Sequence, residues 1–381
     1  MKNKEKQVCT RCVMDTSDNE IKFDADGICN HCTEFKEVTS KNWLPNACGK
    51  KKLENIFDKV RKEGKNKEYD CIIGLSGGCD SSYLALILKD YNLRPLVVHV
   101  DAGWNSELAV YNIEQIVKYC GFELYTHVMD WQEIQDLQVS FLKAGVANQD
   151  TVQDHAFFAT LYHFAVKHKI NYIISGGNIA TESVFPNSWH HAAMDAIQIK
   201  SIHAKYGIRN LKKYQTISLF KYYFYYPFVK KMKTIRPLNF MEYDREDALN
   251  VLKSKVGYKE YGKKHGESIF TKFFQNYYLP TKFGMDKRKP HLSSMILSGQ
   301  ITREQALMEL QKPLYSEIEL TQDKSYIAKK LGLTEKELDD YINVPGHSYK
   351  EFRNWDRWYN IIKGVQSYAE KIINRSVKNY N

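Results

Sequence analysis

From Asp70 onward, short apolar runs alternate with longer stretches of mixed polarity. CIIGL (71–75), LVVHV (96–100), LYTHV (124–128) and NYIIS (171–175) are short and partly β-branched, which predicts strands. The stretches near 81–90, 106–119 and 151–168 read as helices. The second is expected to start at Ser106 and stop at Gly121, a residue suited to a left-handed helix end. This alternation predicts an α/β fold: a Rossmann-like parallel sheet with helices on both faces and right-handed crossovers. Beyond about residue 240 the strand signal fades. Thr302-Arg-Glu-Gln305 and Thr334-Glu-Lys-Glu337 have the form of capping boxes, so this region is expected to be mainly helical. FKYYFYYPF (220–228) reads as a buried strand or a domain seam, in preference to a stacking platform for a base or sugar. Residues 1–50 show little apolar periodicity. The expected organisation is a small metal-held unit over 1–50, the α/β domain over 51–240 and a mainly helical substrate or partner domain over 241–381.

A chain of 381 residues has room for two or three such units. No uncharged apolar run approaches the ~18 residues of a membrane span, and MKNKEKQVCTRC at the start lacks the apolar core of a secretory leader. A cytoplasmic protein is expected. Net charge is +10 and uneven: residues 201–290 carry 20 Lys/Arg against 7 Asp/Glu, and 201–240 hold 9 Lys/Arg and no acid. This is either a solvated basic face or a surface for a polyanion such as a diphosphate sugar, RNA or an acidic partner.

Four of the eight cysteines form Cys9-x2-Cys12 and Cys29-x2-Cys32, with 16 residues between the pairs. Each short turn lets two thiolates converge, and two turns complete a tetrahedral S4 site of the structural zinc type. So short and polar a segment draws its folding energy from the metal. His31 is a possible substitute ligand. Cys48, Cys71, Cys79 and Cys120 are scattered and read as ordinary small residues.

After the first predicted strand comes Ser76-Gly77-Gly78-Cys79-Asp80-Ser81-Ser82, then a helix. Consecutive glycines let backbone N–H groups converge on phosphate oxygens, and the helix N-terminus adds positive potential. Ser76, Ser81 and Ser82 can donate hydroxyl hydrogen bonds. A carboxylate at Asp80 beside phosphate implies Mg²⁺. The Lys-Ser/Thr ending of a Walker loop is missing.

The SGGxDS segment resembles the PP-loop of ATP pyrophosphatases, the adenine nucleotide alpha hydrolases of HUP type. The resemblance implies that ATP is cut between its α and β phosphates, with pyrophosphate held by the loop and AMP passed to a carbonyl oxygen. It implies adenosine near Asp101 in VVHVDAGWNSE (97–107). It also implies a nucleotide border at Gly176, Gly177 and Asn178 in YIISGGNIATES (172–183), with Glu182 as a second carboxylate for Mg²⁺ beside Asp80. On this basis Asp80, Ser81 and Glu182 are the candidate catalytic residues.

The block from Tyr261 to Leu307, YGKKHGESIFTKFFQNYYLPTKFGMDKRKPHLSSMILSGQITREQAL, resembles the N-acetyl sugar amidotransferases of bacterial surface-polysaccharide and nonulosonic-acid pathways. The order of cysteine pairs, SGGxDS, GGNIATES and this block matches theirs along the whole chain. The resemblance implies conversion of a sugar N-acetyl group to an acetamidino group. It also implies ammonia from a separate glutaminase through a channelling barrel similar to the histidine-biosynthesis pair, and a nucleotide-activated N-acetyl sugar as substrate. No glutaminase nucleophile is apparent: residue 2 is Lys, and Cys79 lies inside the phosphate loop. Lys263, Lys264, His265, Glu267, Ser268, Lys282, Lys287, Arg288 and His291 are candidate substrate contacts, Lys287 and Arg288 foremost, since cations suit a diphosphate. The alternatives are a tRNA-thiolating or other RNA-modifying enzyme, and a non-catalytic zinc-ribbon scaffold. The first is disfavoured because the middle of the chain lacks a second cysteine pair, so nucleic acid is not the expected partner. The second is disfavoured by the intact Asp80, Ser81 and Glu182.

Overall fold

The computed structural model describes residues 7–189, 191–262 and 266–373. Its centre is a five-stranded parallel sheet: β1 (Cys71–Gly74), β2 (Pro95–Asp101), β3 (Leu124–Val128), β4 (Tyr172–Ile174) and β5 (Lys233–Ile235), in the order β3-β2-β1-β4-β5. The chain steps outward from β1 to β3, then returns past β1 to lay down β4 and β5. The order therefore reverses between β1 and β4. Ligands bind at the carboxyl edge of such a switch point, because the loops leaving the two strands diverge there and open a crevice.

The central strands read as unbroken apolar runs because both faces are covered. Cys71, Ile73, Tyr172 and Ile174 point into a core with Leu53, Phe57, Leu84, Ile113 and Leu252. Ile72, Val98, Val100 and Ile173 point the other way, onto Ala159, Ala165, Tyr223 and Tyr226. This period-two division is what a sheet sandwiched between helices requires. β3 is an edge strand, and Tyr125 and Val128 on it are exposed.

Ahead of the sheet lie α1 (Asn30–Glu37) and α2 (Ala47–Gly64). Between the strands come α3 (Cys79–Asp90), α4 (Glu107–Cys120), α5 (Trp131–Ala144), α6 (Thr151–Lys167), α7 (Ile179–Glu182) and α8 (Ala196–Tyr206). Ser106 caps α4 by accepting from Ala109 N, and Gly121 ends it at φ 68°, as expected. After β5 come α9 (Arg245–Val256), α10 (Ile269–Phe273), α11 (Leu279–Phe283), α12 (Arg288–Leu297), α13 (Arg303–Gln311), α14 (Glu317–Leu331), α15 (Glu335–Asn343) and α16 (Asp356–Ile373). Both expected capping boxes are present, at the starts of α13 and α15.

The aromatic stretch corrects the expectation of a strand. Residues Lys221–Val229 form a wide π-helical segment whose buried residues, Tyr223 and Tyr226, are three apart, a helical spacing. It is a seam nonetheless. Tyr226 stacks on Tyr162 of α6 with centroids 4.6 Å apart, and Tyr223 meets Trp355 and Tyr359 beside and within α16.

Candidate functional site

The turn after β1 is fixed by its own sequence. Gly77 sits at φ 83°, and a Cβ there would come within 3.0 Å of the Ala109 carbonyl oxygen and the Tyr261 hydroxyl. Only glycine tolerates both conditions. The Gly77 carbonyl accepts hydrogen bonds from Tyr258 and Tyr261, each at 2.9 Å, while Asn112 holds Tyr261. Ser76 Oγ accepts from Gly78 N at 3.2 Å, and Ser81 Oγ donates to the Gly78 carbonyl at 3.2 Å. α3 then begins, and the residues of its N-terminal end, Gly78 to Ser81, line the cavity. From β4, Gly176 packs on this turn so closely that a Cβ would lie 3.0 Å from the Asp80 carbonyl carbon and oxygen and 3.1 Å from Ser81 N. The Tyr243 hydroxyl donates to Asp80 Oδ1. Burial, then the Asp80 charge, raises the Tyr243 pKa, so the phenol stays a donor. Burial, then Asp80, pushes the Cys79 thiol up to about 12, which makes it a poor nucleophile.

This turn forms part of a cavity of about 490 Å³. Ser76, Gly78, Asp80, Ser81, Gly176, Gly177 and Glu182 all face it, so the strand-end motifs after β1 and β4 do converge. Gly77 shapes the turn from outside the lining. Ser82 is fully buried behind it, its hydroxyl without a hydrogen-bond partner among the described residues. A second wall is built by α6 and α10: Asp150, Gln153, Asp154 and Phe157 from the first, Ser268 and Thr271 from the second, with Trp104 from the loop after β2. α6 runs back from β3 toward the start of β4, so its first turns stand at the carboxyl edge of the sheet. His99, on β2, donates from Nδ1 to the Leu75 carbonyl and accepts at Nε2 from Asn105, both at 2.9 Å.

The electrostatics differ from the expected basic lining. Six carboxyl groups, of Asp80, Asp150, Asp154, Glu182, Glu260 and Glu267, line the cavity against one described lysine or arginine, Arg245. None of residues 201–240 does, so the basic stretch faces elsewhere. A polyphosphate fits such a lining only with a divalent cation between it and the acids. The glycine turn, helix N-terminus and facing carboxylates provide both halves of that requirement.

Several expected contacts are corrected. Asp101 Oδ1 accepts from Gly103 N at 2.7 Å and does not line the cavity. Asn178 is engaged as the cap of α7, accepting from Thr181 N at 2.9 Å. Lys282 donates to the carbonyls of Tyr341 and Val344 at the end of α15. Arg288 pairs with Asp286 and donates to the carbonyls of Glu309 and Lys312 at the end of α13. Both cations hold helix ends together and stand outside the cavity lining. His291 donates to the Thr181 carbonyl at 2.9 Å. Lys287 lies over the Phe185 ring, 4.5 Å from its centroid, and its charge partly offsets the rise in the Asp154 pKa that burial and then Asp150 cause. Glu267 and Ser268 line the cavity; Lys263, Lys264 and His265 lie outside the described residues. Tyr243, Arg245, Tyr258, Tyr261, Asp150 and Asp154 were not foreseen. Tyr261 opens the 261–307 block without being singled out there, the others belong to no motif, and each reaches the site through the fold.

The four paired cysteines form the other chemical centre. Their sulfur atoms lie within 4.8 Å of one another, all buried. The distances Cys9–Cys32, Cys12–Cys29 and Cys29–Cys32 are 3.8, 3.6 and 3.7 Å. A tetrahedron of sulfurs at ~2.3 Å from a zinc ion has edges of about 3.8 Å. The donor set and its spacing therefore fit zinc. His31 does not replace a cysteine: its Nε2 is 2.8 Å from Asp18 Oδ2. The unit is docked on the helical region. Arg303 donates to the carbonyls of Cys9 and Cys12, and Lys289 pairs with Asp15 at 2.6 Å. The cysteines share a core with Trp104, Phe270, Phe273 and Leu331.

Residues 267–366 match the family model described as LPS biosynthesis protein WbpG-like, C-terminal domain. No curated protein matches the chain. Among solved structures, NMN synthetase from Francisella tularensis is similar at 21% identity, with 35% of this chain and 54% of that one covered and a TM-score of 0.27. NH3-dependent NAD synthetase from Campylobacter jejuni, in complex with the nitrate ion, is similar at 14% identity, with 55% and 93% covered and a TM-score of 0.29. U34-tRNA thiolase NcsA from Methanococcus maripaludis, with its 4Fe–4S cluster, is similar at 16% identity, with 70% and 82% covered and a TM-score of 0.33.

Proposed function

From a chain that carries a WbpG-like lipopolysaccharide-biosynthesis domain over residues 267–366, we propose an ATP-dependent N-acetyl sugar amidotransferase. It converts the acetamido group of a nucleotide-activated sugar into an acetamidino group for lipopolysaccharide, capsule or nonulosonic-acid synthesis. The carrying observation is one cavity that joins the Ser76–Ser81 turn, at the sheet's switch point, to a polar wall contributed partly by that domain: Glu267, Ser268, Thr271 and Gln275.

An amide oxygen is a poor leaving group, and the proposed first step remedies this. The acetamido oxygen attacks the α-phosphorus of ATP, and the bond to the β-phosphate bridge breaks. The N–H groups of the Gly78–Ser81 turn and the Ser76 and Ser81 hydroxyls bind the departing pyrophosphate. Mg²⁺ held by Asp80 and Glu182 would neutralise the developing charge on the leaving group. Tyr243 orients Asp80 for that role. Ammonia then replaces AMP at carbon. Water at this stage regenerates the amide, so the enclosing α6–α10 wall protects the adduct. We assign the ammonia supply to a separate glutaminase with a channelling barrel, and zinc to Cys9, Cys12, Cys29 and Cys32 as a structural ion that secures the N-terminal unit on α12 and α13.

The RNA-modifying alternative receives less support. Cys79 is the lone cysteine in the cavity lining and its thiol is suppressed, while Cys120 is buried on α4 in the core under the sheet. The test is incubation with ATP, Mg²⁺, ammonium and a panel of UDP- and CMP-linked N-acetyl sugars. The reading requires AMP, pyrophosphate and a sugar product about one dalton lighter, as NH replaces O. Sugar-independent release of ADP and orthophosphate would refute it.

A further inference from the structure

The α6–α10 wall carries a pair of acids that pyrophosphate chemistry does not use. Asp150 precedes α6, and Asp154 lies one turn on, on the same helical face. Asp150 Oδ1 is engaged: Gln153 Nε2 donates to it at 2.7 Å and Thr271 Oγ1 at 3.1 Å. Those bonds hold the Asp150 carboxyl group in place. Asp154 faces the cavity beside it. The same wall includes Trp104, 1% exposed, whose indole N–H has no acceptor among the described residues. A buried donor in that state leaves a hydrogen bond to be made by a ligand or a water.

We propose that this wall is the subsite where nitrogen enters and the amidine product is held, with Asp154 as the base that accepts a proton from the entering nitrogen. This rests on the amidotransferase reading given above. Attack of the acetamido oxygen on phosphorus leaves a cationic, O-adenylylated imidate. Neutral ammonia adds to its carbon, forming the C–N bond and placing positive charge on the new nitrogen. One N–H proton passes to the Asp154 carboxylate. The nitrogen pair so released forms the C=N bond, and the C–O bond breaks with its electrons leaving on AMP. The product is an amidinium cation, which sits beside the Asp150 and Asp154 carboxylates; the proton on Asp154 returns to solvent or to AMP.

The surroundings suit this task. Burial and, next, the Asp150 charge hold the Asp154 pKa well above the usual carboxylate range, with Lys287 acting against them. Once ionised, a carboxylate of raised basicity is a better proton acceptor than an exposed one, so amidine formation should increase as pH rises through the raised pKa of Asp154. Tyr214, from the segment before the π-helical stretch, also feels the Asp154 charge, which, after burial, raises its pKa. Planar amidinium groups pair with carboxylates through two parallel N–H bonds, as guanidinium does.

Two measurements decide the point. With ATP, Mg²⁺, ammonium chloride and the UDP- and CMP-linked sugar panel, wild-type enzyme should form close to one amidine per AMP. Asp154→Asn should lower that ratio by about 10²-fold, with water diverting the adduct back to amide. An unchanged ratio in the variant overturns the assignment. If wild-type enzyme makes AMP with no sugar, the amidotransferase reading fails, and the second measurement still tests the subsite. Saturation-transfer NMR on the methyl group of acetamidinium chloride should show binding to wild-type protein and none to Asp154→Asn. Equal signals, or no signal with wild type, overturn the carboxylate subsite.

Discussion

Gly176→Ala isolates the contact between the two strand-end motifs. The added Cβ would lie 3.0 Å from two backbone atoms of Asp80 and 3.1 Å from the amide nitrogen of Ser81. No side-chain rotation relieves it, because all three are main-chain atoms in the first turn of α3. Overpacking of this kind costs about 1–3 kcal/mol. For a chain this long each kcal/mol moves Tm by no more than roughly 2–4 °C, so a fall of a few degrees is expected. The alternative relaxation is a shift of the first turn by several tenths of an ångström. That shift would displace the N–H groups proposed to bind pyrophosphate, at a cost of up to about 10²-fold in a geometry-sensitive step. Gly364→Ala is the control: nothing lies within 4 Å of its Cβ, and it stands in α16. Its Tm should hold or rise, since alanine is favoured in helices by about 1 kcal/mol. Scanning calorimetry and calorimetric titration with Mg²⁺–pyrophosphate read both effects. Gly176→Ala with the Tm and pyrophosphate affinity of wild type would refute the close packing and its role.

Other predictions are equally direct. Tyr243→Phe removes the donor to Asp80, and the Mg²⁺ concentration for half-maximal AMP formation should rise by about 10–100-fold; an unchanged Mg²⁺ titration separates Asp80 from the cation. Cys12→Ser should abolish stoichiometric zinc by elemental analysis. Because Arg303 binds the Cys9 and Cys12 carbonyls, faster amide exchange should extend to residues 288–311; exchange confined to 7–37 would contradict that coupling. The raised pKa of Asp154 means that the folded chain keeps this proton at pH values where the unfolded chain has lost it. Stability from this group is therefore complete below the ordinary carboxyl range and declines as pH rises toward the raised pKa. Asp154→Asn should accordingly gain Tm relative to wild type at neutral pH, and the gain should vanish in acid; a pH-independent difference contradicts the assigned burial.

The parts legible in the sequence were those encoded locally. β1, β2, β3 and β4 announce themselves as apolar runs, and Ser106 with Gly121 marks both ends of α4. β5 was missed because Lys233–Ile235 has three residues and follows lysines, so it makes no apolar run. α5 was missed as well, since its buried stripe includes Glu133, Asp136 and Gln138, whose burial depends on distant backbone N–H groups: Glu133 accepts from Lys213 and Tyr214, and Asp136 from Ile208 and Arg209. The same reason divides the site. Ser76 to Ser82 and Gly176 to Glu182 are contiguous and were readable. The tyrosines that hold the turn are remote in sequence, and nothing local distinguishes Tyr258 from any other tyrosine. Lys282 and Arg288 misled because a sequence shows a cation but not the carbonyls that occupy it.

Most direct of all is to follow the oxygen. With a sugar substrate carrying ¹⁸O in its acetyl carbonyl, together with ATP, Mg²⁺ and ammonium, the account predicts that the label leaves in the phosphate of AMP, with unlabelled pyrophosphate. Label in orthophosphate alongside ADP, or label retained in the sugar product, contradicts it.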